Sequence, residues 1–168
     1  RLCSSDLRVA GFEANGGFLL GSNLENEGRQ LAALPTRDAL LPMVAVLVAA
    51  RRQNMTLSGL QAKLPARYTF SDRLQNYPTA KSQALLTRLQ EGTNEDVLER
   101  ISAIFGELAG YARAINTTDG LRITFDGGDI IHLRPSGNAP ELRCYTESAT
   151  PERAATLGEV ALEIVRKS

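Results

Sequence analysis

The run IIHLRPSGNAPELRCY, residues 130–145, sets Arg134, Ser136, Gly137 and Asn138 between two strand-like segments, 130–133 and 141–145. These residue types at this spacing suit an anion. The Arg134 guanidinium is a planar fork of donors matched to phosphate oxygens. Ser136 and Asn138 add side-chain donors two residues apart. Gly137 lacks the side chain that would keep an anion from backbone N–H groups, and turns of this kind form anion-binding nests. Pro135 and Pro140 stiffen both ends and reduce the entropy lost when a ligand is gripped. The alternative is an ordinary polar hairpin loop with an arginine at its edge. Local chemistry leaves both open.

Other reactive types carry less. His132 is the single histidine, and beside the loop on a strand it reads as a packing or surface residue rather than a base. Glu13 follows an apolar run, where a solvated strand end is the plain reading. Asp72 and Arg73 read as a turn or interdomain ion pair. Cys3 and Cys144 give neither a disulfide framework nor a metal spacing, so two buried or idle thiols in a reducing cytoplasm are expected.

Charge and length narrow the setting. Acidic and basic residues balance at 19 each over 168 residues, so no global field draws the chain to nucleic acid or membrane. Any bound anion must be held by a local cluster. The apolar run ALLPMVAVLVAA, residues 39–50, is too short for a membrane span and contains Pro42. It reads as a helix buried within a layered fold. Arg1 and Asp6 interrupt the start, so no signal peptide is expected there. A chain that opens on arginine and runs at once into strand-like residues reads as part of a longer product.

The elements that position these residues follow from periodicity. Residues 7–13 read as a short buried strand, 15–17 as a turn, 18–21 as a second strand and 22–35 as loop. Thr36 or Asp38 can cap a helix over 40–50 that is apolar on nearly every face and should be covered on more than one side. Residues 55–65 read as a short helix stopped by Pro65, and 66–78 as an extended connection. A helix over 79–92 precedes one capped by Thr93 or Asn94, with Val97, Ile101, Ile104, Phe105 and Leu108 on one stripe. The period then shifts to two over 112–117, 120–125, 129–134 and 141–147, with a hairpin turn at 126–128. Thr150 and Pro151 open a closing helix striped by Leu157, Val160, Ala161 and Ile164. The expected class is α/β of the α+β kind: a partial helix-covered mixed sheet, then a four-stranded antiparallel sheet with flanking helices. The divide falls within 66–78, giving domains 1–70 and 71–168.

The stretch RPSGNAPELRCY, residues 134–145, resembles the C-terminal phosphate-binding loop of the alpha-D-phosphohexomutases, commonly R-P-S-G-T-E-P before a strand. GFEANGG, residues 11–17, resembles that family's sugar-binding loop, commonly G-E-M-S-G-H, in the version most similar to bacterial phosphomannomutases. DGLRITF, residues 119–125, fits as well. The resemblance implies that 1–70 is the later part of a third domain and 71–168 a fourth. Neither the phosphoryl-carrying serine loop of the family's first domain nor the magnesium-binding aspartate loop of its second occurs in this sequence. No catalytic or metal-binding residue is therefore expected in this segment.

By the same resemblance, Glu13 accepts hydrogen bonds from two sugar hydroxyls, and Asn15 stands where serine is common and can bind a hydroxyl. Gly17 replaces a histidine. Arg134, Ser136, Gly137 and Asn138 match the loop that holds the phosphate not being transferred, with Asn138 and Ala139 in place of Thr-Glu. The implied reaction interconverts mannose 6-phosphate and mannose 1-phosphate by intramolecular phosphoryl transfer through a bisphosphate. Alternatives are glucose or glucosamine phosphates on the same fold, or a non-catalytic sugar-phosphate-binding module. The implied partners are a phosphorylated hexose and the N-terminal domains of the same enzyme. Mg2+ and a hexose bisphosphate would serve the longer enzyme, and this segment alone is expected to be inactive.

Overall fold

A computed structural model describes residues 8–12, 17–34 and 36–167. The chain divides into two compact units, Arg1–Pro65 and Ala66–Ser168. In the first, β1 (Ala10–Phe12) pairs antiparallel with β2 (Phe18–Leu20), and β3 (Leu24–Asn26) with β4 (Arg29–Leu31). The second hairpin falls where the sequence suggested loop. Its turn, Glu27-Gly28, has φ of 51° and 74°, the paired left-handed conformation of a two-residue hairpin, and a glutamate there gives no such signal in the sequence. Helix α1 (Leu40–Arg52) starts where the Asp38 carboxylate accepts the N–H groups of Leu40 and Leu41, at 2.8 and 3.3 Å. Thr56 Oγ1 caps the short α2 (Leu57–Gln61) by accepting from Gly59 N–H at 3.1 Å.

The expectation that α1 is covered on more than one side is not met. Leu40 and Met43 are 72% and 59% exposed, and Val44, Val46, Leu47 and Val48 are also exposed, with Ala50 buried. The run is apolar enough for a layered interior, but the strands beside it in sequence close into two-stranded hairpins that offer no broad sheet to cover it.

The second unit holds the main core. Five antiparallel strands lie in the order β5-β9-β8-β7-β6. They are β5 (Tyr68–Gln75), β6 (Ala112–Asn116), β7 (Leu121–Phe125), β8 (Ile130–Pro135) and β9 (Glu141–Ser148). The helices α3 (Thr79–Leu89), α4 (Asn94–Ala109) and α5 (Pro151–Lys167) cover one face, which confirms the α+β class. Strict alternation in β7 and β9 turns Leu121, Ile123, Phe125, Leu142 and Cys144 to the helices and Arg122, Arg143 and Tyr145 away. Against them lie Val97, Ile101 and Phe105 of α4, Leu157, Ala161 and Val165 of α5, and Leu85 and Leu89 of α3. Each large apolar side chain buried there contributes about 1.5–3 kcal/mol.

The helix starts explain themselves locally. Thr93 Oγ1 accepts from Asp96 N–H, and the Asp96 carboxylate accepts from Thr93 N–H at 2.8 Å, a reciprocal capping box. Thr150 Oγ1 accepts from Arg153 N–H at 3.2 Å, with Pro151 as the first helical residue. Gly128, at φ 81°, completes the expected hairpin by donating to the Phe125 carbonyl at 2.9 Å.

β5 adds an edge strand to the four expected ones. Its inward positions are Phe70, Asp72 and Leu74, so the apolar alternation that marks a strand is broken at its centre. Asp72 and Arg73 therefore sit mid-strand rather than in a turn. The Asp72 carboxylate accepts the Arg73 backbone N–H at 2.7 Å, while Arg73 Nε lies 3.5 Å from Glu141. Charged residues of this kind protect an edge from stray pairing. Helix α5 comes so close to β5 that a Cβ on Gly158 would stand 2.5 Å from Phe70 Cδ1. Among the described residues no helix is long and apolar enough to cross a membrane.

Candidate functional site

The β8–β9 connection is clamped at its base and open at its tip. Ser136 N–H donates to the Glu141 carbonyl at 2.9 Å and Glu141 N–H to the Ala139 carbonyl at 2.8 Å. Tyr77 N–H ties the far end by donating to the Pro140 carbonyl at 2.8 Å. Ser136 is buried, and its Oγ accepts from Asn138 N–H at 3.4 Å, leaving the hydroxyl proton to donate elsewhere. Gly137 and Asn138 are exposed, and a Cβ built on Gly137 would meet no atom within 4 Å. The fold thus fixes the ends of the loop and leaves room for a ligand at its crown.

Arg134 enters this site already oriented. Its Nε donates to the Asp119 carboxylate at 2.9 Å, a bond that uses one of the five guanidinium donors. That bond holds the Arg134 pKa above its already high ordinary value, with a smaller contribution from Tyr145, so the charge is permanent. Both partners are exposed, at 42% and 62%, so the pair adds little stability; its effect is to limit where the fork can swing. Gly120 makes the approach possible. At φ 82°, any Cβ there would strike the Leu133 carbonyl and come within 3.1 Å of Arg134 Cα.

The structure also brings in Arg143, which the sequence did not single out, and Arg73, which read there as half of a turn or interdomain ion pair. Arg143 of β9 lies directly opposite Arg134 of β8, and Arg73 of β5 directly opposite Arg143. All three are on the face turned from the helices. The Glu141 carboxylate lies 3.5 Å from Arg73 Nε and 3.8 Å from Arg143 Nε. Beside them is a cavity of about 510 Å³ lined by Ser71, Asp72, Arg73, Arg143 and Tyr145. The alternation of ELRCYTES already marks Arg143 as outward. Arg73 had no such signal, because β5 hides its period.

His132 packs its ring against Tyr145, with centroids 5.6 Å apart, and its Nε2 lies 2.6 Å from the Asp119 carbonyl. It braces the turn that carries Asp119. Cys144 is fully buried, and burial, with Asp72 nearby, pushes its thiol up to about 12. Cys3, Glu13 and Asn15 lie outside the described residues. In the first unit, a cavity of about 270 Å³ is lined by Phe12, Gly17, Phe18, Leu19 and Arg37, among others. Among the described residues no three His, Cys, Asp or Glu side chains come together to hold a metal ion.

Residues 86–164 match the family described as phosphoglucomutase/phosphomannomutase, C-terminal domain. The chain is 48% identical over 158 residues to a phosphomannomutase of Salmonella muenchen, covering 94% of this chain and 32% of the relative. It is 44% identical over 161 residues to a phosphomannomutase of Sinorhizobium fredii, covering 96% of this chain and 33% of the relative. A probable phosphoglucosamine mutase of Methanothermobacter thermautotrophicus is 30% identical over 94 residues, 56% of this chain and 21% of its own length. The chain spans about a third of the length of the phosphomannomutases it matches.

Proposed function

The chain belongs to the phosphoglucomutase/phosphomannomutase family, and from that membership we propose that it is the substrate-gripping C-terminal portion of a phosphomannomutase. The reaction is the interconversion of mannose 6-phosphate and mannose 1-phosphate through a hexose bisphosphate. The observation that carries this reading is an arginine pre-oriented by Asp119 beside a loop crown with room for an anion. Arg134, the Ser136 hydroxyl and the backbone around Gly137 and Asn138 hold the phosphate that is not being transferred. Glu13 and Asn15 take the sugar hydroxyls. Identities of 48% and 44% to phosphomannomutases, against 30% to a probable phosphoglucosamine mutase, favour the mannose phosphate.

A grip of this kind suits a mutase. One clamp for the distal phosphate accepts the substrate with either end forward, so the bisphosphate can be turned without a second recognition site. None of these groups breaks a bond; they raise the rate by fixing the reacting end in position. The phosphoryl-accepting serine and magnesium belong to other parts of the longer enzyme, and this segment alone is inactive.

A chimera tests the reading. The corresponding third of the Salmonella muenchen phosphomannomutase is replaced by this chain, and conversion of mannose 6-phosphate is assayed beside that of glucose 6-phosphate. Turnover of the mannose ester within about tenfold of the parent is expected, since the positioning contacts are supplied intact. A chimera that melts like the parent but is inactive, or prefers the glucose ester, would overturn the assignment.

A further inference from the structure

Four residues close a circuit at the start of the β8–β9 loop. Arg134 gives its Nε–H to the Asp119 carboxylate at 2.9 Å. The backbone carbonyl of the same Asp119 lies 2.6 Å from His132 Nε2. A carbonyl only accepts, so Nε2 carries the proton of that bond. The His132 and Tyr145 rings meet with centroids 5.6 Å apart, and the two residues stand directly opposite each other in β8 and β9. Arg134 faces Arg143, which makes Tyr145 its diagonal neighbour, within reach of an aromatic side chain. Asp119 does most to favour the charged guanidinium, and a weaker interaction with the Tyr145 hydroxyl adds to it.

The circuit supplies what the ion pair alone lacks. The Asp119 and Arg134 side chains are 62% and 42% exposed, and an exposed pair constrains either partner only weakly. Asp119 also stands in a turn, so its carboxylate is placed only as well as its backbone. His132 fixes that backbone through the carbonyl, while Gly120 lets the turn press against β8. Arg122, on the side of His132 away from Tyr145, is engaged by Glu147 at 3.4 Å.

We propose that His132 and Tyr145 are positioning residues for Arg134, His132 acting through the Asp119 backbone and Tyr145 on the guanidinium itself, so that the free edge of the fork is aimed at the loop crown. The inference rests on the proposed function for what the fork grips, a phosphate, but not for how the fork is held. The gain is affinity, since a side chain already aimed loses less freedom when it binds.

The test follows the Arg134 Nε–H of this chain by NMR, first as its exchange with solvent and then during titration with inorganic phosphate at ionic strength held constant with sodium chloride. His132→Leu is expected to speed Nε–H exchange about threefold or more and to weaken phosphate binding about threefold to tenfold, the scale of one lost hydrogen bond. Tyr145→Phe removes only the hydroxyl and should weaken binding about twofold to fivefold. His132→Gln, whose amide can donate from near the place of Nε2–H, should return both readouts to within about twofold of the parent. A melting curve shows which variants are folded, and Tyr145→Phe with His132→Gln decides the matter if His132→Leu is not. A merely structural brace would leave exchange and affinity at parental values in every folded variant. That result, or a His132→Gln protein no better than His132→Leu, would overturn the positioning role. Faster Nε–H exchange in the variants, beside Gly137 and Asn138 amides that do not respond to phosphate in the parent, would support the positioning and count against the proposed function.

Discussion

Asp119 and Arg134 are fifteen residues apart in the chain, yet the Asp119 carboxylate receives the Arg134 Nε–H at 2.9 Å. The link joins the β6–β7 turn to the end of β8, and under the proposed function it divides the guanidinium between a fixed partner and the phosphate. A lysine cannot be divided in this way. Its single ammonium serves either Asp119 or the anion, and it has no planar fork.

Arg134→Lys is therefore expected to weaken phosphate binding by about 1–2 kcal/mol, roughly fivefold to thirtyfold, although the charge is unchanged. Stability should stay within about 0.5 kcal/mol, because the pair with Asp119 is exposed. Calorimetric titration beside a thermal melt checks both. Equal affinity in the variant would mean that the loop uses charge alone.

Two glycines of equal helical context should respond oppositely to alanine. Gly106 in α4 has nothing within 4 Å of a built Cβ, so Gly106→Ala should stabilise by about 0.5–1 kcal/mol through helix propensity. Gly158 in α5 meets the Phe70 ring, so Gly158→Ala must displace helix or ring. Overpacking of about 1–3 kcal/mol outweighs the same propensity gain, for a net loss of about 1–2 kcal/mol. Urea unfolding of both variants decides it. A Gly158→Ala protein as stable as the parent would show that α5 is not seated on β5 as described.

The capping box gives a pH signature. Hydrogen bonds from the Thr93 side chain and then its backbone hold the Asp96 carboxyl below its ordinary value, with a smaller contribution from Arg100. A depressed acid contributes stability that is full above its unfolded pKa and is lost as pH falls through the folded one. The Tm difference between the parent and Asp96→Asn should thus be steady from pH 7 to about 5 and close below about pH 3.5. A difference that persists unchanged to pH 2 would assign it to something other than the carboxylate.

Much of the second unit was legible in the sequence because its burial is regular. β7 and β9 alternate without a fault, and the stripes of α4 and α5 recur at helical spacing. β5 was not legible, since Asp72 stands among its inward residues at the sheet's edge, where water excuses it. The loop of Ser136, Gly137 and Asn138 could be read from residue type alone. Asp119 could not, because its meaning depends on lying just before Leu121, which pairs with Leu133. Register, rather than composition, delivers it to Arg134. For α1 the apolar run reads as a buried helix, and the strands described beside it form two-stranded hairpins that cover little of it.

The pairing of β5 with β9 has a consequence for how the protein is made. Tyr68 faces Ser148, and the whole length of β5 is matched to a strand that ribosomes complete some eighty residues later. At about 5–20 residues per second, the first of these partners waits roughly 4–16 s for the second to be synthesised. During that interval α3, α4 and the β6–β7–β8 meander can form from neighbours in the chain, while β5 has no place to dock. The last strand made is the one that sits between β5 and the meander, so the sheet closes from its interior outward only when synthesis of this unit is nearly over. A truncation before Glu141 would leave both β5 and β8 as unfilled edges, a species for chaperones rather than a smaller domain.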